Sequence, residues 1–154
     1  MGQLPQNIQV EVEILGGIMQ NPNMLTEVLE SVTFEDFYIK RHVVIFEGLC
    51  RLFAEGKDIN ITMLIDAIGR ENLKDVGGVT YITELATSGL LINPKKYIEI
   101  LKNCSYRRKA IKAMQKYMNK FYDDNENPNK LSGELINLLV DSSTVHSSIL
   151  NDTK

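Results

Sequence analysis

"TFEDFYIKRHVVIFEGL", residues 33–49, decides how the rest of the chain is read: four aromatics, Phe34, Phe37, Tyr38 and Phe46, surround the cluster Lys40, Arg41 and His42. Thr33 and Asp36 have the spacing of a capping box, with Asp in place of the usual Glu. Val43, Phe46, Cys50 and Phe53 then trace one helical face, which Ile45, Leu49 and Leu52 widen. A helix from about Ile39 to Glu55, ended by Gly56, carries a stripe broad enough for the centre of a core. The stretch reads as a cap, an aromatic plug and a helix start.

Working upstream, Asn7 caps a first helix in "NIQVEVEILGGIMQNP", where Ile8, Val12, Leu15 and Met19 recur at helical spacing, and "NMLTEVLESV" repeats the pattern briefly. Gly16 and Gly17 inside the first helix predict close packing of another element. Downstream, Asn60 caps "ITMLIDAIGRE", "DVGG" is a turn, and "VTYITELATSG" is a fifth helix, although the β-branched "VTYIT" alone also fits a strand.

From Asn93 and Pro94 a long helix runs to about Tyr122. Tyr97, Cys104, Ile111 and Met118, spaced by seven, form a heptad-like seam that Leu101, Met114 and Phe121 fill out. After the loop "DDNENPNK", Leu131, Leu135, Leu138 and Leu139 resume a helical pattern, so the two last helices form an antiparallel hairpin whose seams partly bury each other. The expected fold class is all-α: a compact helical head over residues 1–92, a long antiparallel helical hairpin over 93–146, and a tail or linker over 147–154. Such a hairpin beside a head favours oligomerisation.

Composition is that of an ordinary soluble chain, 44% hydrophobic and 24% charged, and no apolar run approaches the roughly 18 residues of a membrane span. The opening "MGQLPQN" lacks signal-peptide regions, which predicts a cytoplasmic protein. Cys50 and Cys104 lie far apart in apolar stretches and read as reduced thiols.

No GxxxxGK[ST] or GxGxxG run cradles a phosphate, and neither His42 nor His146 stands in a metal-ligand spacing, so catalytic, cofactor and metal sites are all expected to be absent. The pairs Glu11 and Glu13, and Glu35 and Asp36, read as solvated or capping carboxylates.

The net charge of −3 hides an asymmetry: nine of the seventeen Lys and Arg residues lie between Lys95 and Lys120, with Glu99 the sole acid among them. Lys95, Lys102, Lys109 and Lys116 repeat opposite the apolar seam, flanked by Lys112 and Lys120, with Tyr106, Tyr117 and Tyr122 interleaved. That stripe is either a solvated outer face or a contact for nucleic acid or an acidic partner through Lys102, Lys109, Lys112 and Lys116.

Taken in order, "LPQNIQVEVEILGGIM", "FEDFY", "HVVIFEGL", "VGGVTYITELA" and "NPKKYIEIL" resemble the N-terminal domain of the DnaB-type replicative DNA helicases. Five motifs in the same order cover roughly Leu4 to Leu139; Gln9-Val10-Glu11 stands where that family usually has Glu-Ala-Glu, and Ile82 replaces a common Leu. The resemblance implies a domain without enzyme activity of its own, with ATP and Mg handled by a RecA-like motor beyond a linker. It further implies a homo-oligomer, either a dimer or a hexameric trimer of dimers forming a collar. The partners it implies are the C-terminal helical domain of primase and a helicase loader, with DNA met mainly through the full ring. Carried over by position, Tyr81, Ile111 and Tyr117 match primase-contact positions, while Phe37, Tyr38 and Phe46 pack the head. The competing reading is a phage-borne or stand-alone nucleic-acid-binding adaptor that uses the basic helix.

Overall fold

A computed structural model describes residues 2–89 and 93–142; the predicted tail at 147–154 and His146 lie outside them. The described residues form seven α-helices and no strand: α1 Ile8–Gln20, α2 Met24–Leu29, α3 Lys40–Ala54, α4 Ile61–Ile68, α5 Gly78–Ser88, α6 Pro94–Phe121 and α7 Pro128–Ser142. The chain divides into two compact units within α6. One unit is Gln6–Asn103, the head; the other takes the residues through Pro5 and those from Cys104 onward.

Local chemistry starts the head helices where the sequence predicts. Asn7 Oδ1 accepts from the Val10 N–H (3.0 Å) and Asn60 Oδ1 from the Met63 N–H (2.9 Å), each satisfying an orphan donor of a first turn. Thr33 and Asp36 do form a capping box, but it closes a single 3-10 turn, Phe34–Asp36, and α3 begins afresh with Ile39 as its extended N-cap residue. The α3 helix stops at Gly56, whose φ of +66° suits a residue without a Cβ. The fourth helix ends at Ile68, three residues short of the predicted Glu71, with Gly69 as its C-cap, and a 3-10 stretch, Arg70–Val76, occupies the connection. The ambiguous "VTYIT" is helical, inside α5: its apolar side, Ile82 and Leu85, is buried at helical spacing, and packing overrides the β-branched propensity.

The head core gathers Ile14, Leu15 and Ile18 of α1, Ile45, Phe46, Leu49 and Leu52 of α3, Leu64 of α4, and Ile82 and Leu85 of α5, with Ile98 and Leu101 from the first turns of α6. Phe37 and Phe46 meet with ring centroids 4.8 Å apart, the aromatic plug expected from the opening motif. Gly16 explains the α1–α5 approach: a Cβ there would stand 2.5 Å from the Leu85 carbonyl oxygen.

In the second unit the structure corrects the predicted seam. The buried positions are Ala110 and Tyr117 of α6 and Leu131 of α7, and the Tyr117 hydroxyl donates to Glu134 Oε2 (3.0 Å). These residues mark the face where α6 meets α7. Met114, Met118 and Phe121, assigned to that seam from their spacing, are exposed instead, Met118 by 52%. At 100° per residue Met118 stands about 100° around the helix from Tyr117, whereas Met114 and Phe121 lie within about 60° of Ala110 and Tyr117 and are exposed all the same. The small Ala110 lets the helices approach there, a role that counting large apolar residues overlooks. Arg108 is also buried and its Nη1 donates to the Pro5 carbonyl (2.9 Å), so one cation of the basic helix is structural.

Candidate functional site

The most organised polar cluster of the head lies under Tyr81. Glu11, which reads from sequence as a solvated carboxylate, is 0% exposed. Its helical spacing explains why: Glu11 shares the face of α1 that carries Leu15 and Ile18. Its carboxylate accepts the Tyr38 N–H (2.9 Å, Oε2) and the Ile39 N–H (3.3 Å, Oε1), two donors at the N-terminal end of α3. A third bond comes from His42 Nδ1–H, 2.8 Å from Oε1. With the ring neutral this leaves Nε2 as an acceptor for the Tyr81 hydroxyl, 2.6 Å away.

The chain Glu11–His42–Tyr81 therefore joins α1, α3 and α5 through groups buried at one end and reaching the surface at the other. The two rings lie 13° from parallel with centroids 6.0 Å apart. Burial pushes the Tyr81 hydroxyl above its ordinary pKa, while the Arg41 guanidinium opposes that shift. The arrangement fixes the tyrosine ring and offers no reacting group beside an open cavity. His42, which sequence reading places near the start of α3, is thus a core histidine; Glu11 is the residue that reading missed, and its place on an apolar helical face was the available signal.

The other sequence-predicted positions are divided between the two units. Tyr81 is half-buried on the head, Ile111 half-buried on α6, and Tyr117 only 5% exposed. Ile111 and Tyr117 are six residues apart and cannot share one helical face. Tyr117 works in packing here, through its bond to Glu134. Lys102 Nζ lies 3.0 Å from Asp36 Oδ2, which also accepts the Thr33 N–H at 2.9 Å, so the lysine helps anchor the capping box. Lys109, Lys112 and Lys116 are exposed, and the Lys116 ammonium stands 5.7 Å from the Tyr117 ring centroid. Among the described residues no His, Cys, Asp and Glu cluster is arranged to hold a metal ion. Cys50 and Cys104 are free, and burial, with Glu47 beside it, pushes the Cys50 thiol up to about 11, so it stays protonated near neutrality.

Residues 3–103 match the DnaB-like helicase N-terminal domain family. Among individual proteins, the chain is 31% identical over 111 residues to the replicative DNA helicase DnaB of Geobacillus stearothermophilus, an alignment covering 71% of this chain and 24% of that protein. It is 29% identical over 138 residues to DnaB of Buchnera aphidicola, covering 88% of this chain and 29% of the relative. The matched part is thus about a quarter of these curated relatives. Its fold is similar to the crystal structure of the N-terminal domain of DnaB helicase from Mycobacterium tuberculosis, with a TM-score of 0.81, 21% identity, and coverage of 90% of this chain and 99% of that one. A second similar structure is a DnaB-like replicative helicase described with its interactions with primase: TM-score 0.77, 25% identity, covering 90% of this chain and 32% of that one. With an ordered match across 3–103, well over half of the 154 residues, and a helical fold that agrees with it, this chain belongs to the DnaB-like helicase N-terminal domain family.

Proposed function

We propose that this chain is the non-catalytic assembly and partner-docking domain of a hexameric replicative DNA helicase: it forms part of the ring collar and recruits primase during DNA replication. The observation that carries the assembly role is the number of exposed apolar side chains in the second unit. Met114, Met118, Phe121 and Tyr122 of α6 and its end, and Ile136, Leu138 and Val140 of α7, are exposed, Tyr122 by 82%. Exposed apolar side chains recurring along these two helices are costly in water and favour burial against a second copy.

The docking role is supported by the rigid seating of Tyr81 and by the similarity to a helicase described with its interactions with primase. In this reading the ATP-driven motor, with its Mg, belongs to a separate domain, and a helicase loader acts on the assembled ring. The setting is the cytoplasm; among the described residues no helix is long and apolar enough to cross a membrane. Calorimetric titration with the C-terminal helical domain of primase from the same source tests docking. Saturable binding that Tyr81→Ala weakens is expected; absence of binding contradicts it.

The exposure of Lys109, Lys112 and Lys116 favours a second reading, a nucleic-acid-binding adaptor. Its signature is affinity for single-stranded DNA that falls steeply with salt and drops when Lys109 and Lys116 become Glu. Salt-insensitive or absent binding removes it.

A further inference from the structure

Tyr81 is covered from outside by Arg41. The guanidinium carbon lies 3.8 Å from the ring centroid, a stacked cation–π contact, and the arginine side chain is exposed. Beneath, the ring is held by the 2.6 Å bond to His42, itself held by Glu11 and the two backbone donors of α3. A guanidinium laid on an aromatic face keeps its edge N–H donors directed outward, and its planar fork matches a carboxylate or phosphate. Among the described residues Arg41 forms no ion pair. The first turn of α3 contains no acid, and Lys40 precedes Arg41, so two cations stand at the positive end of the helix dipole, where cations are disfavoured.

From this arrangement we infer that Arg41, seated on Tyr81, is a recognition site for a carboxylate side chain of an acidic protein segment. The inference rests on the docking reading of Tyr81 and specifies the chemistry the partner brings. A preorganised guanidinium loses less freedom on binding than a free one, because the Tyr81 platform already restricts it. Charge decides between carboxylate and nucleic acid. Residues 1–93 hold six Lys and Arg against thirteen Asp and Glu, a net −7. A phosphate backbone would bring a charge at every nucleotide against that acidic surface, whereas a single carboxylate meets mainly Arg41 and Lys40, with Glu11 and Glu84 the acids acting on Tyr81.

The test follows the Arg41 Nε–H resonance of the isotope-labelled chain during titration with a hexapeptide of glycine and serine carrying one glutamate and, separately, with a thymidylate dodecamer at equal ionic strength. The glutamate peptide is expected to shift that resonance saturably, and Arg41→Lys, which keeps the charge but loses the planar fork, to weaken the affinity read at neighbouring amides on the order of tenfold. No shift at Arg41, or a larger one with the thymidylate, overturns the inference. Titration with the primase domain separates this from the docking reading. Arg41→Gln is expected to weaken that binding as Tyr81→Ala does. Loss with Tyr81→Ala but full retention with Arg41→Gln would overturn the carboxylate site and leave docking standing. Circular dichroism confirms that each variant is folded.

Discussion

The head and the hairpin are built from the same helical patterning and use it in opposite ways. In the head, α1, α3, α4 and α5 each turn their apolar stripe inward, and residues such as Ile14, Leu49 and Leu85 are shielded within one chain. In the second unit only Ala110, Tyr117 and Leu131 are shielded among its described apolar residues, while Met114, Met118, Phe121, Ile136 and Leu138 face outward. The head is consistent with a self-sufficient fold, and the hairpin with half of an interface. Apolar periodicity says that a face will be covered; it does not say by what.

This contrast is sharpest at Glu11. Glu11→Ala removes the acceptor of two backbone donors and of His42, and is expected to destabilise the head by about 3–5 kcal/mol in urea unfolding. Met118→Ala, in the hairpin, is expected to change stability by no more than about 0.5 kcal/mol. Equal effects would erase the distinction between the units. Next in size is Gly16→Ala, whose added methyl meets the Leu85 carbonyl; a loss of roughly 1–3 kcal/mol, seen as a lower urea midpoint, is expected.

How much of this was legible in the sequence depended on range. The caps at Asn7 and Asn60 and the capping box of Thr33 and Asp36 are local chemistry, and they formed as read. Gly16 was legible as a close approach, though not as an approach to α5. Glu11 was legible only as a carboxylate on an apolar helical face; its three donors lie 27 to 31 residues away and only the fold assembles them. The seam on α6 failed for a related reason: large side chains mark an apolar face, whereas the α7 contact uses Ala110 and a tyrosine. Lys102 and Arg108 belonged to a basic run in the sequence, yet one anchors the capping box and the other holds the Pro5 carbonyl.

Smaller effects refine the comparison. Tyr81→Phe keeps the ring but loses the hydroxyl bond to His42, with an expected cost of about 1 kcal/mol in head stability; a neutral result would mean that the buried chain ends at His42. Cys50 should alkylate more slowly than a peptide thiol at pH 8. A thiol with its pKa raised to about 11 yields little thiolate below that value, so the rate should climb as pH approaches it. Fast labelling at pH 8 would show that the α3 region opens more readily than a well-packed core.

Sedimentation velocity across a range of concentrations addresses the assembly claim directly, with the unaltered chain beside the double variant Met118→Glu, Phe121→Glu. The account predicts concentration-dependent association of the unaltered chain and a folded monomer for the variant. A strict monomer for both, even at high concentration, or undiminished association of the variant, would contradict the claim that the exposed face of the hairpin joins copies of this domain.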